Sequence, residues 1–353
     1  MEAQIKRTAV KPDWDRITRY YFVLCLLVMM VHFTNTDIFC TNRIAWAETI
    51  QAFIMNRLGV PAVAGFFLVS GFLFFRDFDF GKLLKKWKAR VFSLLIPYLL
   101  WNLIYSLYAF VMANSTFLNR FADDRTVTFW DLLWGILECD LYNPVFWYMK
   151  YLIIFVLLAP AVYLLLKNRY IGIAVLAGWL LFIRNYFSLP LPAVVKTMAF
   201  WAAFFLAGSY YSLHFSDRIF GIVREHPVPA TILSVLLYAG AFVLSAFRAG
   251  QLVSLCYDFT LVLFLWNLCG AVRFRPVPLM RCTFFLYAVH WLFARNFNKL
   301  VCVLFGTDGI YGLCAYIVLP AAVLGFTWLL MKFFSRHLTG VWAVLNGKRA
   351  GVS

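Results

Sequence analysis

A histidine closes a long apolar run near the start of the sequence. His32 follows Tyr20–Val31, a stretch without lysine, arginine or carboxylate. In a helix that begins at Tyr20, His32 lies about 18 Å into a hydrocarbon layer about 30 Å thick. An ionisable group at that depth is costly and therefore indicates function, and a neutral imidazole can act there as a general base. The alternative is a solvated histidine at the outer interface.

The helix face that carries His32 becomes polar toward its outer end. If the helix continues to residue 38, Asn35 and Thr36 lie one turn beyond His32. Either side chain can hydrogen-bond an imidazole nitrogen and fix its tautomer, which a general base requires. We therefore predict that Asn35 belongs to a substrate-binding site beside the catalytic His32.

A second histidine lies in a later apolar stretch. His290 is about 14 Å along a helix from Arg281, at a depth similar to that of His32. We interpret His290 as a substrate-binding group that stabilises a developing oxyanion or orients an acceptor. Two histidines at membrane depth are harder to explain by solvation than one.

Two further positions are predicted to bind substrate. Ser70, beside Gly71, is small enough to allow close approach of a ligand or a neighbouring helix, and helix packing is the commoner reason for such residues. Trp147 opens another apolar stretch, where an aromatic belt is the alternative reading and Lys150 can extend its amine to the interface.

A basic segment follows the second apolar stretch. Arg76, Lys86, Lys88 and Arg90 are predicted to hold the phosphates of a nucleotide-like cofactor. The alternative is that these cations follow the positive-inside rule and contact anionic lipid headgroups.

Composition defines the elements that must position these residues. Of the 353 residues, 63% are hydrophobic and only 14% charged, which indicates a polytopic membrane protein and excludes a soluble enzyme. We predict an all-α transmembrane helix bundle that forms a single integral domain over residues 1–353. About ten spans are predicted, near residues 20–38, 60–75, 91–113, 146–166, 170–187, 193–213, 228–247, 251–269, 282–303 and 309–334. An amphipathic segment, Ala45–Leu58, is predicted to lie in the interface.

The net charge of +16 is unevenly distributed along this pattern. Most lysines and arginines fall in the tails, 1–19 and 335–353, and in alternate loops, so the positive-inside rule predicts that both termini are cytoplasmic. Membrane insertion alone demands such a bias, which removes most of the case for nucleic-acid binding. The segment 114–143 is then an outer loop, whose carboxylates and tryptophans suit either sugar recognition or a plain solvated loop.

The eight cysteines include no Cys-x-x-Cys pair, and most fall within apolar spans. We interpret them as packing residues and predict no metal site. Only Cys40 and Cys139 lie in or near outer loops, so a single bridge between them is the one disulfide to consider.

Taken in order, several segments resemble those of the integral membrane acyltransferase family 3, bacterial enzymes that transfer acyl groups, often acetyl, to cell-envelope carbohydrates. The segments are His32 at the end of the first span, Phe66–Phe72, Ile96–Tyr98 with Trp101, Phe146–Tyr148, Phe204–Gly208, Phe285–His290, Leu338–Gly340 and Gly347–Arg349. Each is loose by itself, whereas their order and spacing over nearly the whole chain are specific.

The resemblance implies that His32 is the catalytic histidine and that acyl-CoA, by expectation acetyl-CoA, is the donor at the cytoplasmic face of the bacterial inner membrane. The family usually has arginine or lysine eleven residues before this histidine, where the present chain has Tyr21. Arg19 is nearby, but a regular helix turns it to the other side. The family's Arg-x-x-Arg element is represented by Arg90 with Ser93.

Several alternatives stay open from the sequence. Direct attack by the acceptor and an acyl-histidine relay are both consistent with it, as are a polysaccharide, a lipid-linked sugar or a small metabolite as acceptor. The alternative function is a transporter or flippase for a lipid-linked or small polar substrate, with His32, Lys150, Asp258 and His290 along its path. Helices broken mid-span would favour that reading. The oligomeric state is not predicted.

Overall fold

The computed structural model describes residues 13–115, 127–185, 188–215, 226–272 and 274–348. These residues form helices and turns and no β-strand, apart from an isolated bridge between Thr41 and Asp308. The all-α prediction is therefore confirmed. Residues 1–12 and 349–353 of the two predicted tails lie outside the described residues.

The helices divide between two compact units of the chain. In chain order they are α1 (Trp14–His32), α2 (Ala45–Phe53), α3 (Val60–Phe75), α4 (Leu83–Arg90), α5 (Ile96–Asn114), α6 (Phe129–Leu137), α7 (Trp147–Leu157), α8 (Ala159–Leu166), α9 (Arg169–Asn185), α10 (Ala193–His214), α11 (Pro227–Phe247), α12 (Gln251–Ala271), α13 (Pro278–Arg281), α14 (Thr283–Phe305), α15 (Gly309–His337) and α16 (Thr339–Leu345). The first unit holds the start of α1, most of α3 and α8 to α12. The second unit holds the end of α1, the start of α3 and the remaining helices.

Six helices of the described chain are long and apolar enough to cross a membrane. They are Ala45–Phe75, Phe80–Asn114, α10, α11, α12 and α15. The pair α7 and α8, bent by 62°, adds a seventh if it forms one span. Among the other predicted spans, α1 carries Asp15, Arg16 and Arg19, α9 has only 17 residues, and α14 carries Arg295 and Lys299. The arrangement of about ten spans and the cytoplasmic termini stay predictions.

The second predicted span starts earlier than the sequence indicated. α2 continues through a π-helical turn, Ile54–Gly59, into α3, so Ala45–Leu58 is continuous with the predicted span. Its position in the membrane interface stays a prediction. Gly59 permits close contact with α1, because a β-carbon there would collide with the side chain of Val31 and the carbonyl oxygen of Leu27.

Part of the predicted outer loop, 114–143, is helical, and its residues 116–126 lie outside the described residues. From Phe129 onward it forms α6, which packs against α5 and buries Leu132 and Gly135. Ser106 of α5 lies so close to Gly135 that a β-carbon there would collide with the Ser106 hydroxyl. A helix of nine residues is too short to register as a span, and the sequence pattern therefore missed it.

All eight cysteines, which lie among the described residues, are free. Cys25, Cys139, Cys269 and Cys282 are buried, as packing residues are. Cys139 is buried whereas Cys40 is exposed, and no bridge joins them.

Candidate active site

The two predicted histidines meet in the second unit. His32 is the last residue of α1, and His290 lies in the first half of α14. Their ring centroids are 5.1 Å apart, with 45° between the ring planes. Trp291 contacts His32 edge-on, with the centroids 5.2 Å apart. Residues that are distant in the sequence thus form one imidazole pair beside an indole.

The tautomer of His290 follows from its backbone contacts. Nδ1 lies 2.7 Å from the carbonyl oxygen of Tyr287 and 3.3 Å from that of Leu286. A carbonyl oxygen only accepts hydrogen bonds, so Nδ1 carries the hydrogen in the neutral ring and Nε2 is left with a lone pair. His290 is fully buried, and Nε2 has no hydrogen-bond partner among the described residues. The site therefore contains a buried acceptor with a defined orientation.

His32 differs from His290 in its hydrogen bonding. The His32 ring is half-buried, and neither of its nitrogens hydrogen-bonds to any described residue. Neither nitrogen is therefore occupied by a hydrogen bond within the described part of the chain. The pair thus combines one anchored imidazole with one whose nitrogens can exchange a proton.

Asn35 does not lie one helical turn beyond His32, because α1 ends at His32 and the chain turns away. Its side-chain Nδ2 donates to Asn298 Oδ1 and to the Gly312 carbonyl, both at 2.9 Å. Gln51 Nε2 donates to Asn35 Oδ1 (3.2 Å), and the Asn35 backbone N–H donates to Gln51 Oε1 (3.1 Å). The amide of Asn35 therefore anchors the segment after His32 to α2, α14 and α15. Substrate binding by Asn35 stays a prediction.

Two tyrosines hold the turn of α14 that carries His290. Tyr105 Oη donates to the Ala288 carbonyl (2.9 Å) and accepts from the Leu292 N–H (3.2 Å). Tyr287 Oη donates to the Val145 carbonyl at 2.6 Å. Neither role was predicted, because a tyrosine within an aromatic-rich span has no local pattern that shows which distant carbonyl it will meet.

Ser70 lies in the first unit, half-buried on α3. Its neighbour Gly71 packs against α10, since a β-carbon there would collide with the carbonyl oxygen of Phe205. Gly208 on α10 packs in the same way against the Leu68 carbonyl. Close helix packing therefore explains Gly71, and a substrate contact of Ser70 stays a prediction.

Trp147 begins α7 in the second unit and is half-buried. Its ring contacts Tyr151 edge-on, with the centroids 5.5 Å apart. A substrate contact of Trp147 stays a prediction.

The predicted cofactor-binding cations occupy different positions. Lys86 and Arg90 are four residues apart on α4 and share one helix face, half-buried, whereas Lys88 is exposed on another face. Arg76 belongs to the first unit and pairs with Asp77 at 3.7 Å.

In the second unit, Lys348 Nζ lies 4.1 Å from the ring centroid of Phe92, on the π-helical turn after α4. Lys348 was part of a terminal motif in the sequence but had no assigned role.

Tyr21 and Arg19 have separate structural roles in the first unit. The Tyr21 ring stacks on Phe66, with the centroids 5.4 Å apart. Arg19 donates to the backbone carbonyls of Cys269 (3.1 Å) and Phe274 (2.6 Å), at the end of α12. The last carbonyls of a helix have no partner within it, so Arg19 satisfies the Cys269 carbonyl of α12 and also the Phe274 carbonyl of the segment that follows. Arg19 is not placed as the missing cation at position 21.

Comparison with known protein families identifies one match. The model of acyltransferase family 3, described as an acyltransferase domain, matches residues 22–332, nearly the whole chain. No curated protein and no solved structure is significantly similar to the chain. Both histidines and the basic residues of α4 lie within the matched region.

Proposed function

Because the chain belongs to the acyltransferase 3 family, we propose that it transfers an acetyl group from acetyl-CoA to a hydroxyl of a cell-envelope carbohydrate. The family and the apolar helices together identify a membrane acyltransferase with several helices able to cross a membrane. The finer proposal is carried by the juxtaposition of His32 and His290 in the second unit. We also propose that the protein lies in the bacterial inner membrane.

His32 is the general base in this proposal. A hydroxyl is a poor nucleophile until a base takes its proton, whereas a thioester is already an activated acyl donor. His32 removes the proton while the hydroxyl oxygen bonds to the carbonyl carbon of the thioester. The C–S bond then breaks, and the histidine returns the proton to the CoA thiolate. The products are the ester and free CoA, and no further reactant is required.

His290 orients the reacting groups. With a hydrogen on Nδ1, its Nε2 can accept a hydrogen bond from the acceptor hydroxyl or from an N–H of His32. Stabilising an oxyanion requires a donor, which neutral Nε2 is not. Of the two roles that the sequence suggested for His290, the structure therefore favours orientation of the acceptor.

The cations of α4 suit the phosphates of CoA. Lys86 and Arg90 lie on one face, and Lys348 is held over Phe92 in the same unit. From Arg90 to Tyr105, which contacts α14 beside His290, the helix rises about 22 Å. An extended phosphopantetheine arm is of this order of length. The nucleotide can therefore stay at α4 while the thioester reaches the histidines.

The decisive experiment replaces His32 and follows the label of acetyl-CoA. Membranes containing wild-type protein or His32→Ala are supplied with labelled acetyl-CoA, and label in envelope glycans is counted. We expect a loss of about 100-fold or more, because a positioned general base contributes about that factor. His337→Ala, which removes an exposed histidine at the end of α15, is the matched control and should keep the wild-type rate. Wild-type labelling by His32→Ala would show that the base is another group.

A transporter or flippase is the second candidate, and one observation favours it. The helix pair α7 and α8 is bent by 62° at a short break, as in the broken helices of transporters. A transporter has no use for acetyl-CoA. Release of free CoA thiol by the purified wild-type protein, abolished in His32→Ala, therefore selects the acyltransferase.

A further inference from the structure

A non-helical segment separates α6 from α7 in the second unit. α6 ends at Leu137, α7 begins at Trp147, and residues 138–146 between them form two short 3-10 turns. These residues, 138–146, are called the break below. In a membrane, such backbone is tolerated only where it is buried in protein or lines a polar cavity.

The break begins beside Tyr98, near the middle of the helix Phe80–Asn114, which is a candidate membrane span. Side chains of the helix Phe80–Asn114 donate hydrogen bonds to successive carbonyls of the α6–α7 path: Asn114 Nδ2 to Val127 (3.1 Å), Tyr98 Oη to Leu137 (2.8 Å) and Trp87 Nε1 to Val156 (2.8 Å). The two paths are therefore antiparallel. At 1.5 Å per residue, Tyr98 is about 24 Å from Asn114 and about 16 Å from Trp87. The break therefore lies alongside a helix that is long and apolar enough to cross a membrane.

Three ionisable side chains meet at the break. Lys150 Nζ forms ion pairs with Glu138 and, at 3.2 Å, with Asp140. One cation faces two carboxylates, so the cluster has an excess negative charge. The Asp140 side chain is 59% exposed and is therefore available to a ligand.

A buried amide in the break lacks one of its partners. Asn143 is 1% exposed, and its Nδ2 donates to Asn102 Oδ1 at 2.9 Å. Asn143 Oδ1 has no hydrogen-bond partner among the described residues. A buried acceptor without a donor destabilises the fold, and the missing donor is one that a bound hydroxyl can supply.

The break is in contact with the turn that carries His290. Tyr287 Oη donates to the Val145 carbonyl within the break, and the Tyr287 carbonyl accepts from His290 Nδ1. The Phe146 ring stacks on Tyr287, with the centroids 5.2 Å apart and the planes 4° from parallel. A group bound at the break is therefore adjacent to the histidine turn.

We infer that the break is the subsite for the sugar portion of the acceptor, a neutral polyhydroxylated ring. This inference rests on the proposed acyl transfer and specifies where its acceptor binds. Hydroxyl groups donate to Asn143 Oδ1 and to the Asp140 carboxylate, and the reacting hydroxyl lies toward the histidines. The excess negative charge at Glu138 and Asp140 disfavours anionic sugars by like-charge repulsion.

Carbodiimide labelling of Asp140 tests this subsite without requiring acyl transfer. Wild-type protein in phospholipid nanodiscs is treated with a carbodiimide and glycine ethyl ester, and modified Asp140 is measured by mass spectrometry. The probes are hexyl glucoside and hexyl glucuronide. We expect the glucoside to protect Asp140 and the glucuronide to require at least about tenfold more for the same protection. No protection by the glucoside, or equal protection by both, would overturn the inference.

Two variants make the test specific. Asn143→Leu should raise the half-protecting glucoside concentration by about tenfold, because the acceptor oxygen is lost. Glu138→Gln removes the excess charge and should let the glucuronide protect nearly as well as the glucoside, and it stays informative if Asn143→Leu does not fold. Asp131→Asn, on the exposed first turn of α6, is the control and should change neither value. Unchanged protection in folded Asn143→Leu or Glu138→Gln overturns the inference.

The result also separates this subsite from the proposed function. Protection of Asp140 without any turnover of acetyl-CoA would leave the sugar subsite in place and remove the acyltransferase mechanism. Turnover of acetyl-CoA without protection of Asp140 would leave the acyltransferase mechanism in place and remove the sugar subsite.

Discussion

The imidazole rings of His32 and His290 lie with their centroids 5.1 Å apart, at the end of one helix and in the middle of another. His290 is anchored by a hydrogen bond from Nδ1 to the Tyr287 carbonyl, whereas the His32 ring forms no hydrogen bond with the described residues. The anchored ring can orient a hydroxyl while the other ring takes its proton. This division of roles leads to the first prediction.

Replacing His290 by asparagine or by glutamine separates the roles of its two nitrogens. Asparagine keeps an amide near Nδ1, which can still donate to Tyr287, whereas glutamine reaches the position of Nε2. We expect about a 100-fold loss of acetyl transfer for His290→Asn and about a tenfold loss for His290→Gln. Initial rates with labelled acetyl-CoA measure both values. Equal losses would mean that Nε2 is not the functional nitrogen.

The shared face of Lys86 and Arg90 predicts where CoA is held. Arg90→Gln and Lys86→Gln should each raise the KM for acetyl-CoA by about fivefold or more with little change in kcat, because a charge-assisted contact to phosphate is lost. Lys88→Gln, on the other face, is the matched control and should leave KM within about twofold. If all three variants raise KM alike, the effect reflects the general charge of α4 and not a phosphate site.

Position 208 in the first unit should tolerate only glycine without a loss of stability. A β-carbon there would collide with the carbonyl of Leu68, so Gly208→Ala should lower the free energy of unfolding by about 1–3 kcal/mol. Gly178 on α9 has open space around it, so Gly178→Ala should be neutral or stabilise the helix by up to about 1 kcal/mol. Thermal unfolding in detergent compares the two. A smaller effect of Gly208→Ala than of Gly178→Ala would contradict the packing of α3 on α10.

The stability of the fold should depend on pH through Asp308, which lies outside the candidate membrane spans. Hydrogen bonds from the Asn42 side chain and the Ile310 N–H hold the pKa of Asp308 below its usual value. A lowered pKa in the folded state means that the ionised carboxylate stabilises the fold above its unfolded pKa, and this contribution is lost as pH falls through the folded value. The melting temperature of Asp308→Asn should therefore lie below that of the wild type at pH 7, with the difference shrinking below about pH 4.

The control for this prediction is Asp37→Asn, an exposed residue in the same segment between α1 and α2 as Asn42. It should melt close to the wild type at every pH. A gap between wild type and Asp308→Asn that widens on acidification would reverse the assigned sign.

The sequence by itself determined the all-α class, indicated several apolar membrane helices and marked both histidines as candidate site residues. These properties are local: an apolar run, an ionisable residue within it and an ordered series of short motifs can be read without knowing the fold. The family assignment rests on the same order, and the match over residues 22–332 bears it out.

Only the tertiary structure decided what surrounds the histidines. α1 ends at His32, so Asn35 joins the network with Gln51 and Asn298 and does not continue the helix face. The tautomer of His290 depends on the Tyr287 carbonyl, and the break is brought to the same turn by a hydrogen bond to Val145. Such contacts join residues far apart in the chain, and sequence periodicity contains no information about which distant carbonyl a side chain will meet.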